Sequence, residues 1–141
     1  MQHQNIFLFF AASLVLASAC APKGFPQGER LYTYHCANCH MDDGSGLEGL
    51  IPPLAGSDFL AAYPAEVPCI IRYGVKKEIE VKGKTYEQEM AGIPELNEYE
   101  ITNIINYIHH AWGNELGYRN PEEVKSALEN CESGPSSENG G

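Results

Sequence analysis

Basic residues are scarce in this chain: nine Lys and Arg stand against nineteen Asp and Glu, a formal charge of −10. A nucleic-acid surface needs clustered cations to displace the counterions around phosphates, so that class of partner is excluded. Length is limited too, since 141 residues leave room for one domain. The apolar fraction, 43%, is modest, and part of it is spent on one run, Ile6 to Leu16, which is too short to span a bilayer comfortably. Cysteine, by contrast, is plentiful for the length, with five residues at positions 20, 36, 39, 69 and 131.

The apolar run suits the hydrophobic core of an export signal, and the small residues Ala17-Ser18-Ala19 suit cleavage before Cys20. A Cys directly after the cut resembles a bacterial lipoprotein signal, in which that Cys is acylated. Residues 1–5 (MQHQN) contain no Lys or Arg, and position 17 is Ala where a lipoprotein signal more often has Leu or Val. The alternative is a plain secreted protein in which Cys20 is an ordinary thiol or disulfide partner. Either way the chain is expected to be exported, and the lipidated form would be held at the membrane from the periplasmic side.

Cys36-Ala37-Asn38-Cys39-His40 is the most informative stretch. Two thiols three positions apart on a helical turn can add across the two vinyl groups of one haem, with the adjacent His reaching the iron from the same side. A CxxC redox disulfide would need a thioredoxin-like βαβ setting, which is missing. A zinc site would need a second pair of ligands at metal spacing, and the adjacent His109 and His110 on one helix supply it poorly. Upstream, residues 28–35 read as a short helix. Downstream, residues 41–56 are rich in Gly, Pro and Asp and read as a loop. The carbonyls of Pro52-Pro53 are free to accept the second ring N–H of His40.

With His40 on one face of the iron, the other face needs a donor or an open position. Met41 and His35 sit too close to the attachment turn to reach it. Met90 lies far enough along the chain, in a Gly- and Pro-containing loop, to return on the distal face; its other reading is core filling beside the haem. After it comes a strong helix. Asn97 and Glu100 form a capping box, Ile101, Ile104, Ile105, Ile108 and Trp112 fall at helical spacing, and Gly113 supplies the stop. His109 and His110 flank that stripe and are read as solvated.

Residues 66–74 predict a helix with Pro68 in its first turn and Gly74 at its end. Residues 78–86 alternate around Lys82-Gly83 as a small hairpin leading towards Met90. Arg72, Tyr73 and Tyr86 carry polar tips that suit haem propionates and equally suit plain surface packing. Setting aside Cys36 and Cys39 for haem and Cys20 for lipid leaves Cys69 and Cys131, which an exported protein usually pairs. Without acylation of Cys20, three pairings are open. Residues 121–131 read as a short helix, and 132–141 (ESGPSSENGG) have the composition of a disordered tail.

Taken in order, GxxLY, CANCH, GSG, IPPLAGSDFL, VKGKTYEQEM and ELNEYEITNIINYIHHAWGN resemble the small monohaem bacterial cytochromes c of class I over residues 28–118. The resemblance implies an all-α fold of three to four helices around one covalent haem c, with a small β-hairpin before the distal Met loop. It implies thioether bonds at Cys36 and Cys39, axial iron ligation by His40 and Met90, and the Pro52 carbonyl as acceptor for the proximal His. It also implies a crossing of the first and last helices, with Gly28 and Tyr32 facing Ile104 and Tyr107. Relatives usually carry Pro directly after the distal Met, whereas this chain reads Met90-Ala91-Gly92-Ile93-Pro94, a less rigid loop.

The expected organisation is therefore a signal peptide (1–19), a linker (20–27), a cytochrome c domain (28–131) and the tail. The expected function is single-electron transfer between redox proteins of a respiratory chain, by a monomer, with no catalytic acid, base or nucleophile. The alternatives are a haem peroxidase or small-ligand sensor with a labile Met90, and a tethered haem subunit of a larger complex. The acidic balance either steers the carrier to a basic partner patch or merely keeps it soluble.

Overall fold

The computed structural model describes residues 24–132, so the signal segment, Cys20 and the tail after residue 132 lie outside the described residues. Among the described residues there are six helices, α1 (Pro26–His35), α2 (Ala37–His40), α3 (Asp58–Ala62), α4 (Val67–Tyr73), α5 (Glu98–His110) and α6 (Pro121–Glu132). Four short strands accompany them, β1 (Gly74–Val75), β2 (Ile79–Val81), β3 (Lys84–Tyr86) and β4 (Met90–Ala91).

Helix α5 is built as its sequence dictates. The Asn97 side chain accepts from the backbone N–H groups of Tyr99 and Glu100, and the Glu100 carboxylate accepts from the Asn97 N–H at 2.9 Å. Ile101, Ile104, Ile105 and Ile108 form one buried face. The helix stops at His110, earlier than the apolar spacing suggests: Ala111 is extended and Trp112 lies beyond the helix at φ 54°. The Trp112 ring is nevertheless recruited into the core, with its centroid 5.0 Å from that of Tyr32 and 5.5 Å from that of Tyr107.

Helices α1 and α5 make the most extensive interhelical contact in the described chain. Gly28 permits it: a Cβ there would run into the Asn103 carbonyl oxygen and lie 2.7 Å from the Tyr107 Cβ. The atoms nearest to that position thus belong to Asn103 and Tyr107. Tyr32 does meet Tyr107, at 5.3 Å between ring centroids.

The hairpin β2–β3 forms with Ile79 opposite Tyr86 and Val81 opposite Lys84. Its turn residues Lys82 and Gly83 have φ of 53° and 70°, the two positive values that a tight two-residue hairpin requires. Two features were not anticipated. Residues 58–62 form helix α3, capped by Ser57 Oγ accepting from the Leu60 N–H at 3.4 Å. More important, Met90 does not sit in a free loop, because β4 pairs antiparallel with β1, Val75 opposite Met90 and Gly74 opposite Ala91. The mainly helical expectation with a small hairpin is consistent with this architecture; what differs is the number of helices, six among the described residues where three to four were expected, and the added β1–β4 pairing.

Helix α6 closes the domain against α4 and α5, burying Val124 and Leu128. Cys131 of α6 and Cys69 of α4 form a disulfide. The connection from α5 is strapped by Asn106, whose amide donates to the Arg119 carbonyl at 2.9 Å and accepts from the Arg119 N–H at 2.8 Å.

Candidate haem site

The helices and the hairpin enclose a cavity of about 420 Å³. Its walls are mainly apolar: Leu54, Leu60, Val67, Ile70, Ile71, Val81, Ile93, Ile104 and Ile108. Set into them are Cys36, Cys39, His40 and Met90, four residues drawn from two separate segments. Among the described residues no group of three or more His, Cys, Asp or Glu is placed to hold a metal ion by itself. The donor set therefore suits a prosthetic group that brings its own equatorial ligands, and fits haem in particular: two thiols, one imidazole and one thioether around an apolar cavity.

His40 ends α2 and is buried, 8% exposed. Its Nδ1 lies 3.1 Å from the Pro52 carbonyl oxygen. A carbonyl can only accept, so Nδ1 carries the proton and the Nε2 lone pair is left for a metal. Burial pushes His40 below the ordinary imidazole range, outweighing the Pro52 bond, which favours the charged ring. The loop that carries Pro52 folds back on the attachment turn through backbone bonds from Gly46 to His40 (3.0 Å) and from Leu54 to Gly44 (2.8 Å). Three side chains absent from the sequence-level site hold that loop in place. Tyr32 donates its hydroxyl to the Met41 carbonyl at 2.6 Å, and Trp112 Nε1 donates to the Asp42 carbonyl at 2.9 Å. Asn114 donates to the Leu54 carbonyl at 3.0 Å and accepts from the Gly56 N–H at 2.7 Å. Partners so distant in sequence, 58 residues apart for Asn114 and Gly56, leave no local signal.

Neither motif cysteine is engaged in a disulfide. Burial, then the nearby Cys39, pushes Cys36 up to about 12, so it stays protonated at neutral pH. Of the three residues considered for propionates, Tyr86 alone reaches the cavity. It is buried, 5% exposed. Arg72 is not part of the lining; its Nε is buried without a partner among the described residues. Tyr73 is also outside the lining and about half exposed.

Two histidines depart from expectation. His35 contributes to the cavity wall, although its place before the attachment turn suggested that it points elsewhere. His109, read as solvated, is 2% exposed, whereas His110 is exposed. His109 Nδ1 bonds the Gly117 carbonyl at 3.0 Å, which draws the segment after α5 over the ring. Burial holds His109 below the ordinary imidazole range, with the Gly117 bond opposing and the His110 and Arg119 charges assisting. The folded form thus binds this proton less readily than the unfolded form. The stability this contributes is complete above the ordinary His value, near 6.5, and declines as pH falls through the depressed one. Acid titration of holoprotein stability is expected to show this loss below about pH 6.5, and a shallower slope there in His109→Gln. An identical slope in the variant would assign the acid sensitivity to other groups.

The family model for cytochrome c matches residues 26–112, and the chain belongs to that family. Cytochrome c-552 of Thermus thermophilus is 37% identical over 90 residues, a stretch covering 61% of this chain and 68% of that one. A second cytochrome c-552, from a named strain of the same species, matches at the same identity and length, and there the match covers 60% of the relative. The cytochrome c subunit of the quinone alcohol dehydrogenase of Gluconobacter oxydans is 28% identical over 89 residues, only 18% of its own length. As a member of this family the chain binds haem c covalently and transfers electrons through it.

Proposed function

We propose that Cys36 and Cys39 form the thioether bonds to the haem vinyl groups and that His40 Nε2 and Met90 Sδ are the two axial ligands of its iron, in a class I arrangement. The observation that carries the reading is the convergence of all four side chains on one cavity. Haem c supplies one-electron Fe(II)/Fe(III) chemistry.

The polypeptide's part is to hold and shield. Pro52 fixes the His40 tautomer, and the aliphatic wall keeps water away, which limits reorganisation as charge changes. Tyr86 is the donor suited to a propionate oxygen. If His40 and Met90 both hold the iron, no position would be left for substrate, which favours a carrier over a peroxidase or sensor.

The same reading takes the apolar run before Ala17-Ser18-Ala19-Cys20 as an export signal, and Cys20 as an acylated anchor of a periplasmic, monomeric protein. No helix among the described residues is long and apolar enough to cross a membrane. An anchor a few residues before α1 would keep the haem beside membrane-bound redox partners of a respiratory chain. The likeness to a dehydrogenase subunit supports redox proteins as partners.

A redox titration of the haem-loaded protein, followed by absorption, is the test. A single reversible one-electron wave, a low-spin spectrum in both states and no spectral change with dilute carbon monoxide are expected. A high-spin ferrous form that takes up carbon monoxide at low concentration would instead favour the sensor or peroxidase.

A further inference from the structure

We infer that the Cys69–Cys131 disulfide and helix α6 are positioning elements for Met90, acting through α4 and β1. The inference rests on the proposed ligation by Met90. Its chain of contacts is short. Cys131 of α6 is bonded to Cys69 of α4. Helix α4 runs without a break into β1, whose Val75 stands opposite Met90. One turn earlier, Ile71 of α4 accepts the Ile93 N–H at 2.9 Å.

The junction is tight. A Cβ on Gly74 would strike the Met90 carbonyl oxygen, and one on Gly92 would lie 2.6 Å from the Gly74 nitrogen. Apart from a local turn in which Ile93 accepts from Leu96, the backbone of residues 87–93 has no other hydrogen bond to the rest of the described chain. Whatever holds α4 therefore holds the Met90 strand.

Helix α4 cannot hold itself. It is seven residues long and has no side-chain N-cap, far below the length at which a helix persists alone. Its inner face packs through Val67, Pro68 and Ile71, and its Cys69 is fastened to α6. Helix α6 lies beyond residues 26–112, the span matched by the family model. This chain also lacks Pro directly after Met90 and carries Ala91-Gly92 in its place. A softer Met segment thus coincides with a cross-linked brace outside the family's span.

The test uses haem-loaded protein. The oxidised wild type is examined for the weak Fe(III)–thioether charge-transfer band, then compared with Cys69→Ala/Cys131→Ala, Val124→Ala and Tyr107→Leu, the last lying at the α1–α5 crossing, away from this path. In the cysteine variant the band should weaken and cyanide should bind about tenfold more tightly, because a larger fraction of the protein has its distal site open. Val124→Ala should shift cyanide affinity the same way by less. Tyr107→Leu should lower thermal stability yet leave cyanide affinity unchanged.

Wild-type cyanide affinity in the cysteine variant would overturn the inference, as would an equal shift in Tyr107→Leu. Should the cysteine variant fail to fold, an unchanged affinity in Val124→Ala would overturn it. A wild type without the band would instead remove the Met90 assignment itself.

Discussion

Met90→Ala is expected to abolish the thioether charge-transfer band and to lower the reduction potential on the order of 0.2 V, a fraction of the roughly 0.8 V that axial ligands command. The sign follows from ligand softness: a thioether donates weakly and favours Fe(II), so replacing it by water or hydroxide favours Fe(III). The loss should be specific to the distal side. Met90 sits in β4, whose pairing with β1 uses backbone groups only, so truncating the side chain leaves the ladder intact. His40 with its Pro52 bond lies on another segment and should be unaffected. Far-UV circular dichroism unchanged beside a fallen potential is the expected pair of results. A potential within about 0.02 V of wild type, a tenth of the expected fall, would show that Met90 fills space near the haem without ligating it.

The largest effect on stability is expected from Gly28→Val. A Cβ at this position would overlap the Asn103 carbonyl oxygen, which belongs to the backbone of α5 and cannot swing aside. Two further methyl groups would press on Tyr107, whose Cβ is 2.7 Å from the position of that Cβ. Over-packing of this kind costs about 3 kcal/mol. For a domain of this size the loss corresponds to a fall in melting temperature on the order of 15 °C. Thermal denaturation of the haem-loaded protein measures it directly. A fall below about 4 °C, the shift expected for a loss of only 1 kcal/mol or less, would mean that α1 can slide along α5 at little cost. The close crossing would then be a preference of packing and not a requirement.

The parts that were legible in the sequence are those written in short-range chemistry. Asn97 and Glu100 announce the start of α5 because a capping box is complete within four residues. Lys82-Gly83 announces the hairpin for the same reason. The haem-binding turn is legible because Cys36, Cys39 and His40 are dictated by the size of one porphyrin edge. Long-range pairing was not. Gly74 and Val75 look like the end of a helix and the start of a loop, and only the folded chain brings them beside Met90 and Ala91. His109 carries no mark that distinguishes it from His110. Its burial comes from the segment 113–120, which Asn106 and His109 itself draw back across α5. Trp112 shows the opposite failure. Its spacing from Ile108 suggests one more helical turn, yet a positive φ takes it off the helix and onto Tyr32.

The crossing of α1 with α5 also sets an order in time. Gly28 and its contact Asn103 are separated by roughly 75 residues, so at about 5–20 residues per second several seconds pass between the synthesis of one and the other. A pairing so distant in sequence is slow to close even once both helices exist. Through that interval α1 has no partner, Tyr32 has no core to enter, and Cys36 is not yet enclosed. The architecture thus leaves the CxxCH turn open on all sides for as long as the chain is incomplete; completion half-buries Cys36 and leaves Cys39 exposed.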